Sequence, residues 1–211
     1  MDIFWLGHAC LRLQSAGTVL VTDPFDKTVG YALSPQKADI VTVSHDHPHH
    51  SHTEAITGKP YVVHGPGEYE IGSFYITGMP IRIGTEENDR RVNTIFSMRS
   101  EGLTVCHLGE ITHTLTPRQA QELNKTDVLI VPAGGSGTLP VDRIPALVNM
   151  IEPRILIPVH YRTDGVDLEL EPVDRFLQEL GVTEVSPVNR LNVSLTNLPR
   201  EMRVVVLQRT S

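Results

Sequence analysis

Cysteine is nearly absent from this chain: Cys10 and Cys106 are the only two among 211 residues, and no Cys-x-x-Cys pair occurs. Two thiols so far apart in sequence do not make a disulfide framework, so a reducing cytoplasm is the expected compartment and both read as small buried hydrophobes. Clustered positive charge is missing as well. Lys and Arg number 18 against 25 Asp and Glu, for a formal charge of −7, and no basic block exceeds a pair. A nucleic-acid backbone is held by clustered cations, so no nucleic-acid partner is expected; a small anionic substrate held by one or two local cations remains compatible. No apolar run is long enough to span a bilayer, and the N-terminus enters Ile3-Phe4-Trp5-Leu6 without a basic and apolar leader, so no membrane partner is expected. Nothing in the chain reads out an oligomeric state.

Two catalytic motifs also fail. Gly134-Gly135-Ser136-Gly137-Thr138 lacks the last glycine of a G-x-S-x-G elbow, which leaves a serine hydrolase little support and reads better as a loop above a site. Gly65-Pro66-Gly67 is a turn, since no Gly-Lys-Ser/Thr follows to make a phosphate-binding loop.

The length suits one domain, residues 1–211, or two intimately packed halves, and no low-complexity linker divides it. Short strand signals fill the first half: Ile3–Leu6, Leu11–Leu13, Val19–Thr22, Ile40–Ser44, Tyr61–His64, Phe74–Thr77 and Thr94–Met98. Leu103–His107, Val128–Pro132, Ile155–Val159 and Val204–Leu207 continue the series. Thr116-Pro117-x-Gln119 starts a helix, a second helix ends at Ile151 with Pro145 in its first turn, and a third runs from Pro172 to Leu180 before Gly181. Ser51-x-x-Glu54 is a capping-box pattern that predicts a short helix, with His52 on its exposed face. Strand-rich segments followed by strand–helix alternation predict an α/β (α+β) fold of two sheets packed face to face with helices outside.

Against these absences stands Ser44-His45-Asp46-His47-Pro48-His49-His50-Ser51-His52, which holds five of the ten histidines. The buried-strand run Ile40–Ser44 leads into it. Residues i and i+2 of extended chain project to one side, so His45 and His47 can share a metal, and Pro48 bends the path so that His49 and His50 approach from another direction. A lone histidine would read as an ordinary solvated residue. Here others recur at strand ends: His8 after the first strand, Asp23 after Val19–Thr22, His107 and Glu110 after Leu103–Cys106, and His160 after Ile155–Val159. Side chains at strand C-termini, held on a rigid scaffold, are where active sites lie.

Trp5-Leu6-Gly7-His8, Thr22-Asp23-Pro24-Phe25, the histidine cluster, Gly65-Pro66-Gly67-Glu68-Tyr69-Glu70, His107-Leu108-Gly109-Glu110 and Ile157-Pro158-Val159-His160-Tyr161 occur in an order that resembles the metallo-β-lactamase superfamily of metal-dependent hydrolases. The resemblance spans nearly the whole chain and is nearest to the short branch similar to ascorbate-6-phosphate lactonase. It implies a four-layer αββα sandwich with a metal site along one edge. It also implies a ligand set: His45 and His47 on one metal, position 49 and His50 on a second, Glu110 bridging, and His160 completing the second site. The chain departs from that pattern in three places. Position 49 is His where the family has Asp, Glu110 stands for a bridging Asp, and no His occurs from Gly65 to Cys106, with His64 just before that span. Two anionic ligands become one, which weakens the attraction holding two divalent ions together. An altered or mononuclear site is the expected compensation, and loss of the metal is the rival.

The expected function is therefore hydrolysis of a small ester, lactone or phosphoester by a metal-activated water. The cofactor would be zinc, as one or two ions, with iron, manganese or nickel also suited to imidazole. Metal ligands are expected among His45, His47, His49, His50, Glu110 and His160. Asp46 is the candidate proton acceptor; His8, Asp23, His64 and His107 are candidate supporting residues or further ligands, and His113 a candidate contact to substrate. The alternatives are a non-catalytic metal-binding member of the same fold and a nuclease of the superfamily.

Overall fold

A computed structural model describes residues 1–83 and 91–210. In chain order the strands are β1 (Asp2–Gly7), β2 (Cys10–Ser15), β3 (Thr18–Thr22), β4 (Gln36–Lys37), β5 (Ile40–Val43), β6 (Ile56–Thr57), β7 (Tyr61–His64), β8 (Gly67–Ile71), β9 (Phe74–Arg82), β10 (Val92–Ser100) and β11 (Leu103–His107). The second half adds α1 (Pro117–Glu122), β12 (Val128–Pro132), α2 (Ile144–Ile151), β13 (Ile155–Val159), α3 (Val173–Glu179), β14 (Leu191–Asn192) and β15 (Arg203–Val204).

Two mixed sheets carry the fold. One has the order β14-β1-β2-β3-β5-β7, the other β15-β13-β12-β11-β10-β9-β8. In each, an antiparallel half built from hairpins meets a parallel half: β3, β5 and β7 in the first sheet, β11, β12, β13 and β15 in the second. Parallel neighbours need a crossover, and α1 and α2 supply it between β11, β12 and β13. Ile3, Leu11, Leu13, Leu20 and Ile40 of the first sheet pack against Phe74, Ile76, Ile95, Phe96 and Met98 of the second in one buried core.

The outer layers differ. Ala120, Ile144, Leu147, Ile151 and Phe176 dock the three helices on the second sheet. Among the described residues no α-helix covers the first; Phe25, Val29, Leu33 and Ala38, from the segment after β3, pack on Cys10, Val21, Val41 and Val43 instead. The architecture is the αββα type, with a loop layer and a 3₁₀ turn (Lys27–Val29) in place of the first helical layer.

Tyr61–His64, Leu103–His107, Val128–Pro132 and Ile155–Val159 are strands over the expected bounds, and the helix start at Thr116 is a full capping box with Pro117 in the first turn. Three expectations are corrected. The helix predicted from Ser51 is only a 3₁₀ turn, Thr53–Ala55, with no side-chain cap, because the Ser51 hydroxyl donates instead to the His47 carbonyl at 2.9 Å. Val204–Leu207 is buried throughout, but only its start pairs with β13; Leu207 bridges to Val188, so the run is shared between two partners. Gly67–Ile71, read only as following a turn, is an edge strand paired with β9. Its Glu-Tyr-Glu composition hid it, since charged residues are depleted in strands.

Candidate metal centre

The C-terminal ends of β1, β3, β5, β11 and β13 converge at one edge of the sandwich, and each delivers a polar side chain there. Three of those residues sit in left-handed backbone: His8 at φ 48°, Asp23 at φ 40° and His160 at φ 52°. Non-glycine residues adopt that region at a cost, and such strain gathers where a side chain must be aimed. His8 is held by three neighbours: its N–H donates to the Tyr31 hydroxyl at 3.0 Å, and its carbonyl accepts from Trp5 Nε1 and from the His160 N–H, each at 2.9 Å.

Asp23 is fully buried and organises the floor of the site. It accepts the Ser44 N–H at 2.8 Å, the Ser44 hydroxyl at 2.5 Å and His50 Nδ1 at 2.9 Å. Burial by itself would raise this carboxyl; the His50 hydrogen bond, the nearby His107 and the Ser44 hydroxyl outweigh it and hold Asp23 at about 2. Ser44 Oγ, having given its proton to Asp23, accepts from His45 Nδ1 at 3.0 Å. The hydrogen-bond network thus assigns both tautomers. His50 and His45 carry their protons on Nδ1 and turn Nε2 lone pairs into the site, the arrangement in which a metal-ligating histidine passes its other N–H to a carboxylate or its relay.

What faces those lone pairs is Glu110. Its Oε2 lies 2.8 Å from His45 Nε2 and 3.8 Å from His50 Nε2. The close approach to His45 does not meet hydrogen-bond geometry, and His45 Nε2 has no other partner among the described residues. Two electron-pair donors that near each other repel unless a cation lies between them. Burial tends to raise the Glu110 carboxyl, but the adjacent His45, His50 and His160 rings leave it lowered overall. His8, His50 and His160 are all lowered, foremost by burial, His160 to about 3. They are neutral imidazoles at physiological pH, as metal ligands must be.

Two donor sets meet metal-binding geometry among the described residues: His45, His50 and Glu110, and His8, His50 and His160, with the ligand atoms of each set within 4.8 Å of one another. Buried donors aimed at a common point, with no partner on either nitrogen of His8 or on His160 Nδ1, suit a divalent transition metal bound by imidazole and one carboxylate.

Several expected site residues stand outside these sets. His47 is exposed and its ring lies beside that of His49, centroids 4.5 Å apart. His49 Nε2 pairs with Thr28 Oγ1 at 3.0 Å. Asp46 and His64 line an adjoining cavity of about 350 Å³ together with His45, Glu110, Arg91, Ile83 and Val92. His107 is used up structurally: Nε2 donates to the Ala9 carbonyl at 2.9 Å and Nδ1 accepts the Gly109 N–H at 3.2 Å. His113 is exposed and meets only Thr112, and exposed His52 lies 3.4 Å from Glu54. The glycine loop passes over the site as expected, where a Cβ on Gly137 would come 3.6 Å from Glu110. Sequence reading missed Ser44, Asn93 and Tyr31, which hold His45, Glu110 and His8 through hydrogen bonds; no spacing signal marks them.

The β-lactamase superfamily domain model matches residues 2–160 of this chain. A UPF0173 protein of Pyrococcus furiosus is 30% identical over 198 residues, covering 85% of this chain and 90% of the relative. A UPF0173 metal-dependent hydrolase of Carboxydothermus hydrogenoformans is 26% identical over 193 residues, covering 77% and 85%. The crystal structure of a Thermotoga maritima protein, assigned as a Zn-dependent hydrolase of the metallo-β-lactamase superfamily, is similar at a TM-score of 0.79 and 35% identity, over 98% of this chain and 97% of that one.

Proposed function

This chain belongs to the metallo-β-lactamase superfamily as a metal-dependent hydrolase, and we propose that it cleaves a small anionic ester, lactone or phosphoester in the cavity beside Glu110. The observation that carries this is the pair of lone-pair donors, His45 Nε2 and Glu110 Oε2, facing each other 2.8 Å apart at the cavity wall. His45, His50 and Glu110 would hold a divalent ion there, zinc above all, with iron, manganese or nickel chemically compatible; when bound it would lower the pKa of a water toward neutrality and polarise the scissile carbonyl or phosphoryl oxygen.

The protein's own residues do the rest. Asp23 and Ser44 lock the imidazoles in the ligating tautomer. Asp46, on the same wall, accepts the proton released by the attacking water, and Ser51 donates to its Oδ1 at 3.5 Å. Arg91 lines the cavity and brings a guanidinium to the substrate's anionic group, while Ile83 and Val92 face its apolar part. A cavity of this size admits a small molecule, and the net charge of −7 disfavours a nucleic acid.

The test is a substrate panel of lactones, aryl phosphodiesters, phosphomonoesters and thioesters, run on metal-stripped protein and on protein reloaded with zinc, iron or manganese. Turnover of at least one class by the loaded protein, lost on chelation, is expected. No turnover with any loaded metal on any class would replace this reading with a non-catalytic role.

A further inference from the structure

His8 has no conventional role in the packing. Both of its ring nitrogens are buried without a hydrogen-bond partner among the described residues, and the residue is 1% exposed. An imidazole buried to fill space would use at least one nitrogen, because an unpaired buried polar atom costs free energy. His107, equally buried, uses both of its own. His8 instead presents its ring to His160 and His50, with centroids 4.4 and 5.2 Å away. Its backbone is forced into left-handed conformation, and the preceding Gly7, at φ 118°, has no room for a Cβ beneath the Tyr31 ring. The local chain is built to aim this side chain.

His49, at the position where the resemblance led to a ligand being expected, is placed differently. It is half-buried at the cluster's outer side, with Nε2 on Thr28 Oγ1, and it belongs to neither donor set.

We propose that His8 is a metal ligand of this chain, forming an all-imidazole set with His50 and His160, while His49 stays outside the coordination sphere. His50 is the hub. Its Nδ1 is committed to Asp23, so it offers one nitrogen, Nε2, to both donor sets. One nitrogen lone pair serves one ion, so His50 completes one set at a time, and one tightly held ion per chain is expected. The inference rests on the metal-dependent reading above and adds a position for the ion that shares His50 with the His45 and Glu110 position.

The experiment uses zinc and the full chain. Elemental analysis after dialysis against excess zinc, then removal of loose metal, is expected to give one ion per chain. Zinc X-ray absorption of that wild-type sample is expected to show at least three imidazoles and an oxygen donor. His8→Ala should weaken zinc binding by at least about tenfold, whereas His49→Ala should stay within about twofold of the parent, since removing even a supporting partner of a ligand costs about 10–100-fold. Circular dichroism establishes that each variant folds; should His8→Ala fail, His8→Gln and the wild-type imidazole count decide. Zinc affinity unchanged in the folded His8 variant, an equal loss in His49→Ala, or two tight ions per chain would overturn the proposal while leaving a metal-dependent hydrolase standing. A wild-type protein that binds no metal would overturn both.

Discussion

Asn93, wholly buried within β10, accepts the Glu110 backbone N–H at 2.9 Å through Oδ1. Its Nδ2 donates to the Leu108 carbonyl at 2.8 Å, so one side-chain amide clamps both ends of the turn that presents the carboxylate. The turn is tight enough that a Cβ on Gly109 would strike the Asn93 amide oxygen. Asn93→Ala leaves two buried backbone groups unpaired, at about 1–3 kcal/mol each. Loss of stability on urea unfolding is expected together with weaker metal binding. Asn93→Asp, which keeps the acceptor but not the amide donor, should recover part of both. Stability lost without any change in metal affinity would show that Asn93 supports the fold and not the position of Glu110.

Asp46→Asn is expected to separate metal binding from proton transfer. Asp46 lies on the cavity wall beside His45 but belongs to neither donor set. Asp46→Asn should therefore leave the metal content at its parent level and lower kcat by roughly 10²–10⁴-fold. The check is elemental analysis and turnover on the same preparation. Metal lost along with turnover would instead make Asp46 a ligand or a ligand's support.

The metal-free protein should lose stability in acid over two windows. His160 has a folded pKa near 3, below its ordinary 6.5. The unfolded chain therefore binds a proton there first, and the fold is penalised progressively as pH falls from about 6.5 towards 3. Asp23 is a carboxylate depressed from 3.8 to about 2, so its contribution is present above pH 4 and is lost as pH falls through 2. Urea midpoints should decline from pH 7 downward, and His160→Gln should flatten the decline between pH 6.5 and 4. A flat profile for the parent protein across that range would contradict the neutral, buried state of His160.

Both thiols should be inert in the native protein. Burial pushes Cys106 up to about 12 and Cys10 well above its ordinary value, and neither is accessible. Since the thiolate is the nucleophile, alkylation at pH 8 should be negligible without denaturant and complete with it. Mass spectrometry after timed labelling reads this directly. Fast labelling of either cysteine in the folded state would mean that the core around it opens.

The sequence by itself determined the elements whose signals are local. Apolar runs such as Leu103–His107, Val128–Pro132 and Ile155–Val159 need only their own composition to become buried strands, and Thr116-Pro117-x-Gln119 carries its cap within four residues. The histidine cluster was legible for the same reason: five imidazoles in one short segment announce metal chemistry before any folding. Ser51-x-x-Glu54 shows where local signals stop. The pattern for a helix start is there, but the chain spends the Ser51 hydroxyl on His47 and ties the His52 N–H to the Pro24 carbonyl at 2.8 Å, which braces the loop that carries His50.

Only the tertiary structure decided which histidines meet. His49 stands next to His50 in sequence, but its Nε2 pairs with Thr28 Oγ1. His8 follows a different strand, β1, and is itself the left-handed residue that brings its ring beside His160. Asp23, 27 residues before His50, holds that ring by a bond no spacing rule anticipates. Coordination depends on where lone pairs point. That direction is set by strained backbone, by tautomer-fixing partners such as Ser44 and by long-range packing, all of which exist only once the two sheets have closed on each other.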